Sequence, residues 1–295
     1  MITSLQIENW KSYSKAKLDI DPLTVMIGTN ASGKSNALDA LIFLNRISSG
    51  IFLSTALQGD GALSPLRGGL EWAAKRPGST FTVGVVCRLD ELTDYEYRLT
   101  CEIQGNKCEA VEESLSRIKH RPDKTGSRKG VAGVIKLFRS DPCTSDSPHI
   151  VARLYNEKQG TRRTLSRSQC ILAQLSGQKL RQEIQEGVNE VLNNLREIFL
   201  LDPIPSHMRN YQPLSEKLES DAKNIAGVIA ALPKEKQKEI ESVLTEYAGK
   251  LPERDIKRVY AETVGKFKSD AMLYCEEVWK DDSEPHSVDA RGMSD

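Results

Sequence analysis

The stretch Gly28-Thr29-Asn30-Ala31-Ser32-Gly33-Lys34-Ser35 is a complete G-x-x-x-x-G-K-[ST] phosphate loop. Its flanks suit that role. Residues 23–27, Leu-Thr-Val-Met-Ile, are apolar and β-branched, which predicts a buried parallel strand. Residues 36–48 place Ala37, Leu38, Leu41, Ile42 and Leu44 at helical spacing. Strand, glycine loop and helix form a phosphate cradle, with backbone N–H groups and the positive helix end pointing inward. Gly28, Thr29, Asn30 and Gly33 shape the loop and, with Ala31, Ser32 and Asn36, line the expected nucleotide site. Lys34 is expected to reach the β/γ-phosphates of ATP, and the Ser35 hydroxyl to ligate Mg²⁺.

The 295-residue chain has room for one large or two modest domains. No run approaches the ~18 apolar residues of a membrane span, and Met1-Ile2-Thr3-Ser4 lacks a basic-then-apolar leader. Cys87, Cys101, Cys108, Cys143, Cys170 and Cys275 form no C-x-x-C pair, and His120, His149, His207 and His286 are scattered, so no metal-ligand spacing emerges. Reduced, buried thiols in a cytoplasmic protein are the expectation.

Charge is balanced overall, 41 basic against 41 acidic residues, but unevenly placed. Between 116 and 167 there are 13 Lys/Arg and 4 Asp/Glu, a local +9 against −9 elsewhere. The densest part, 117–129, surrounds Pro122 and Gly126 and predicts an exposed loop. Such a patch suits nucleic-acid phosphates, yet without interleaved aromatics a solvated loop is the favoured reading.

Along the chain, residues 4–9 alternate as a strand, with 16–20 as the hairpin partner. Residues 80–89 and 95–103 predict strands across the turn-like Asp90-Glu91-Leu92-Thr93-Asp94. Residues 131–138 fit either a strand or a short helix. Ile184, Val188, Val191, Leu192, Leu195, Ile198 and Phe199 recur at helical intervals, and further helices are predicted over 214–232 and 234–251. Beyond Pro252 strands return, around 258–263 and 271–278. The predicted organisation is a phosphate-loop lobe at 1–115, a basic loop-rich insertion at 116–165, a helical lobe at 166–252, and strands returning to the sheet at 253–295. The fold class is α/β: a mixed sheet carrying the phosphate-loop helix, with an inserted helical lobe.

The N-terminal string is more specific than a phosphate loop alone. Leu5-Gln6-Ile7-Glu8-Asn9-Trp10-Lys11-Ser12-Tyr13, followed by the 23–41 stretch ending Asn36-Ala37-Leu38-Asp39-Ala40-Leu41, resembles the ABC-type P-loop NTPase heads of the SMC/RecF/OLD grouping. The likeness is nearest to bacterial AAA-family, OLD-like ATPases of genome maintenance and phage defence. Leu66-Arg67-Gly68-Gly69-Leu70 is similar to that group's "RGG" element. Leu201-Asp202-Pro203-Ile204-Pro205 through Arg209, and Leu218 through Ala226, are similar to a further shared stretch. Ala290-Arg291-Gly292-Met293-Ser294-Asp295 resembles the start of the signature loop. Ala31 departs from the usual glycine, at roughly 1 kcal/mol if that position needs positive φ.

The resemblance implies Mg-ATP as cofactor and two heads closing over nucleotide, as a homodimer or hetero-oligomer. Hydrolysis would then switch DNA binding or an associated nuclease, with no membrane involved. It implies that Lys11 and Tyr13 lie near the nucleotide, that Arg209 or Gln212 acts as the γ-phosphate switch, and that Ser294 contacts the nucleotide of the partner head. A DNA contact by Arg67 is a minority reading, and Trp10, Trp72 and Trp279 read as packing residues. Hydrolysis also needs a Walker B Asp and a catalytic Glu. The run 198–202 offers Asp202 as that Asp, but Pro-Ile-Pro follows it; by resemblance it is instead a strand leading into the helical lobe. Walker B would then lie past the signature, so the sequence reads as an incomplete head with catalytic residues unassigned. The rival reading is a non-hydrolysing nucleotide-binding module, and a phosphate-loop kinase using Asp202 is a third.

Overall fold

Strand patterning and the phosphate-loop helix set the architecture of a computed structural model that describes residues 1–143, 147–155, 160–250, 256–278 and 284–293. The chain divides into two compact units, Met1–Ile198 and Phe199–Asp295.

Unit 1 is an eight-stranded antiparallel sheet in the order β2-β1-β3-β4-β5-β6-β7-β8. Its strands are β1 (Ile2–Trp10), β2 (Tyr13–Asp19), β3 (Thr80–Asp90), β4 (Thr93–Gln104), β5 (Lys107–Pro122), β6 (Arg128–Ser140), β7 (His149–Leu154) and β8 (Thr161–Ser166). Period-2 patterning selects one buried face: Leu5 and Ile7 of β1, Phe81, Val83 and Val85 of β3, and Tyr95, Tyr97 and Leu99 of β4 are all buried. On the opposite face Arg98 bonds Gln6 and Glu8, and the Thr82 and Thr100 hydroxyls meet at 2.9 Å. One dry face and one wet face are the usual arrangement for an antiparallel sheet.

The unit's helices are α1 (Lys34–Ser48), α2 (Leu53–Gln58), α3 (Ile171–Leu175) and α4 (Gln182–Arg196). Trp10, Phe43 of α1 and Phe81 form an aromatic cluster with ring centroids 5.0–5.7 Å apart. Each fully buried ring contributes about 1.5–3 kcal/mol of transfer free energy. The α4 backbone sits close to the sheet at Gly187, where an added Cβ would come within 2.4 Å of Leu137 and 3.0 Å of Tyr95. Unit 2 holds β9 (Gln212–Pro213), α5 (Ile225–Ala231), α6 (Lys234–Ala248), β10 (Ile256–Val264), β11 (Asp270–Glu277) and β12 (His286–Asp289). There β11 pairs with β10 on one edge and with β12 and β9 on the other.

Several expectations change. Residues 23–27 form no strand: Leu23, Val25 and Ile27 are 84, 72 and 90 % exposed. A parallel strand is held by neighbours on both sides, and among the described residues none pairs with this segment. The stretch 117–129 is not a loop but two strands joined across 123–127, and 131–138 is strand. The helices foreseen over 166–252 divide between the units, α3 and α4 in the first, α5 and α6 in the second, and the 214–232 helix shrinks to α5. The run 198–202 carries no strand; Phe199, Leu201 and Asp202 are exposed. Trp10 is a packing residue, whereas Trp72 is half exposed with the Arg76 guanidinium 4.0 Å over its ring. Trp279 lies outside the described residues.

Candidate functional site

Two residues of the loop take the backbone where side chains are disfavoured. Gly33, the N-cap of α1, has φ 96°, and a Cβ there would lie 2.8 Å from the Tyr13 hydroxyl oxygen. Glycine is therefore demanded twice, by conformation and by contact. Ala31 has φ 64°, so this position holds a left-handed backbone despite the methyl group.

α1 opens without a side-chain cap and without an acidic residue in its first turn. Its first N–H groups and positive dipole end are therefore available to an anion. The Asn36 and Ala37 N–H groups donate to the Gly33 carbonyl at 2.8 and 3.1 Å, closing the turn. The Lys34 ammonium curls over the loop, donating to the Gly28 and Thr29 carbonyls at 2.6 and 2.8 Å and to the Ser32 hydroxyl at 3.4 Å. It is thus already poised above the cradle. Ser35, on the first turn, is exposed. A backbone cradle, one lysine and a helix-borne hydroxyl match what a Mg²⁺-bound triphosphate needs.

A polar brace that the sequence reading did not foresee holds the loop's rear. Asp39, buried on α1, accepts from the Lys11 ammonium and, at 3.0 Å, from the Arg67 guanidinium. Arg67 also donates to the Ser35 carbonyl at 2.6 Å, and Lys11 to the Arg67 carbonyl at 2.7 Å. Burial pushes the Lys11 ammonium below its ordinary range, against the pull of Asp39. The end of β1 is tied in as well: the Trp10 indole N–H donates to the Asn36 carbonyl at 2.7 Å, and the Asn36 side chain donates to Ser12 at 2.8 Å. Lys11 and Arg67 thus grip the phosphate-loop helix through Asp39. A cleft of about 460 Å³ opens beside them, lined by Lys11, Ser12, Asn36, Arg67, Trp72 and Arg76 among others.

The structure brings Lys11, Tyr13, Arg67 and residues 28–36 into one neighbourhood. Arg209 is half-buried just before β9 in unit 2, Gln212 starts that strand, and Ser294 lies outside the described residues. Residues 1–120 match a family model described as AAA ATPase domain. That span takes in the loop, α1 and the whole Lys11–Asp39–Arg67 brace, and the match supports an AAA-type ATPase with nucleotide and, usually, Mg²⁺ use. No curated protein matches the chain. No helix among the described residues is long and apolar enough to cross a membrane.

Proposed function

We propose that unit 1 binds Mg-ATP and serves as the ATP-responsive head of an OLD-like or SMC-like ATPase, in which paired heads close over nucleotide and reopen on hydrolysis, switching DNA binding or an attached nuclease. The observation that carries this reading is the loop itself: Lys34 folded over a cradle opening onto an uncapped helix end. The backbone N–H groups of 28–35 and the α1 dipole would hold the phosphates, Lys34 would neutralise the β/γ-phosphates, and Ser35 would ligate Mg²⁺. Bound Mg²⁺ supplies charge stabilisation to phosphoryl transfer. The Lys11–Asp39–Arg67 brace keeps α1 and the loop in place, so that the cradle is formed before nucleotide arrives.

A second reading, a regulatory module that binds nucleotide without hydrolysing it, is favoured by one observation. Asp202, the residue the sequence offers as a Walker B ligand, stands exposed outside any strand. Phosphate release from ATP by the full chain separates the two. Turnover abolished by Lys34→Ala supports a hydrolysing head; tight Mg-ATP binding without turnover supports the module.

A further inference from the structure

The basic segment supplies a surface that the nucleotide site does not use. Past His120, whose N–H donates to the Leu92 carbonyl at 2.8 Å, β5 has only β6 as a neighbour among the described residues. β6 in turn meets β7 only from Phe138 onward. The sheet thus narrows to a two-stranded ribbon ending at the 123–127 turn. Arg121, Lys124 and Lys129 are exposed along it, and Lys119 and Lys136 at its base where β5 still pairs with β4; among the described residues none of the five forms an ion pair. Asp123 is the single acid between 114 and 140, and its carboxylate is engaged by the Thr125 and Ser127 N–H groups at 2.7 and 2.9 Å.

The ribbon is also fastened at its base. Arg128 grips Asp94 with its two terminal guanidinium nitrogens, Nη2 at 2.8 Å, and donates from Nε to the Glu91 carbonyl at 2.7 Å and from Nη2 to the Asp90 carbonyl at 3.0 Å. His120 meets the same carboxylate at 2.8 Å. A fixed row of unpaired cations costs little ordering when it meets a polyanion.

We propose that this β5–β6 ribbon is a docking surface for duplex DNA, held through its phosphates and independent of base sequence. Two strands about 4.8 Å apart, with their side chains, fit a B-form major groove about 12 Å wide. Gly130 and Gly133, with nothing within 4 Å of an added Cβ, leave the backbone open to close approach. The ribbon carries no aromatic side chain between 116 and 137, so stacking on unpaired bases has no platform there. A docked peptide strand is disfavoured by the edge itself. β6 slips register against β5 at three points, and each bulge interrupts the outer ladder that another strand would need. The surface deepens the DNA-switching part of the proposed function by naming where the duplex sits, but it does not require nucleotide.

The test is fluorescence anisotropy of a labelled mixed-sequence duplex of about 30 base pairs, titrated with the full chain without nucleotide. Five phosphate contacts predict a dissociation constant of about 10 µM or tighter at about 50 mM NaCl, and a log–log salt slope of about −4.5. K129A/K136A, both changes at exposed positions, is expected to weaken binding at least about tenfold and to reduce the slope to about −2.7. Lys34→Ala is expected to bind duplex as the parent does, which separates this surface from the nucleotide site. The proposal is overturned by no binding at about 50 µM protein, by a slope near zero, by K129A/K136A leaving affinity unchanged with an unaltered melting curve, or by a poly-glutamate peptide binding more tightly than duplex.

Discussion

Replacing Asp39 with alanine tests whether the brace behind the phosphate loop is structural. The Asp39 and Lys11 side chains are 3 and 7 % exposed, so the pair is shielded from water, while Arg67 remains half exposed. Removing one member of a buried ion pair costs about 3–5 kcal/mol, because the other charge is left uncompensated. Lys11 keeps its bond to the Arg67 carbonyl, which places Asp39→Ala near the lower end, about 3 kcal/mol. Unit 1 spans 198 residues, and at ~2.1 cal/mol/K per residue its unfolding entropy is about 0.4 kcal/mol/K. A loss of that size therefore lowers the unit's melting temperature by about 7 °C. Lys11→Met is expected to cost less, about 1–2 kcal/mol, because Asp39 retains Arg67 as partner. Differential scanning calorimetry of both variants reads the two shifts. An Asp39→Ala shift below about 2 °C, or a larger one for Lys11→Met, would refute the buried-brace account.

Three further outcomes follow from the same structure. Glu113 is fully buried, and desolvation raises its carboxyl to about 7, against hydrogen bonds from the Ile171 and Leu172 N–H groups and the Tyr97 hydroxyl. The folded state thus holds a proton that the unfolded chain releases, so unit 1 is most stable below about pH 4.5 with respect to this group and loses about 3 kcal/mol as pH rises through 7. Denaturant melts from pH 4.5 to 7.5 should show that loss in the parent, and Glu113→Gln should remove this component of it. Gly33→Ala forces a side chain onto φ 96° and against Tyr13, which should cost about 1–3 kcal/mol in urea melts; a neutral result would mean the loop relaxes freely. Ala31→Gly relieves a left-handed alanine at φ 64° and should leave stability unchanged or raise it by up to about 1 kcal/mol; a loss of that size in the same melts contradicts the strain.

Much of unit 1 was legible because its periodicities are strong. β1, β3 and β4 alternate cleanly, α1 follows its glycine loop, and α4 ends at Arg196 close to where its apolar stripe ends. The ribbon was misread as loop because a strand exposed on both faces, as β6 is over 129–136, has no buried face to print an alternation. Residues 23–27 misled in the opposite direction: an apolar, β-branched run predicts burial only when strands lie beside it. The loop residues were named directly by their motif. Asp39 follows the loop by four residues, but a carboxylate on a helix reads from sequence as a solvated charge. Its partners stand 28 residues away on either side, a pairing that only the fold reveals.

The central claim is that residues 28–35 form a working cradle for Mg-ATP. Isothermal titration calorimetry of the full chain with ATP, in Mg²⁺ and in excess chelator, tests it most directly. One site of micromolar affinity is predicted with Mg²⁺, weakened in chelator and lost in Lys34→Ala while that variant's melting temperature without nucleotide stays unchanged. Absence of binding by the folded parent, or binding indifferent to Lys34, would contradict it.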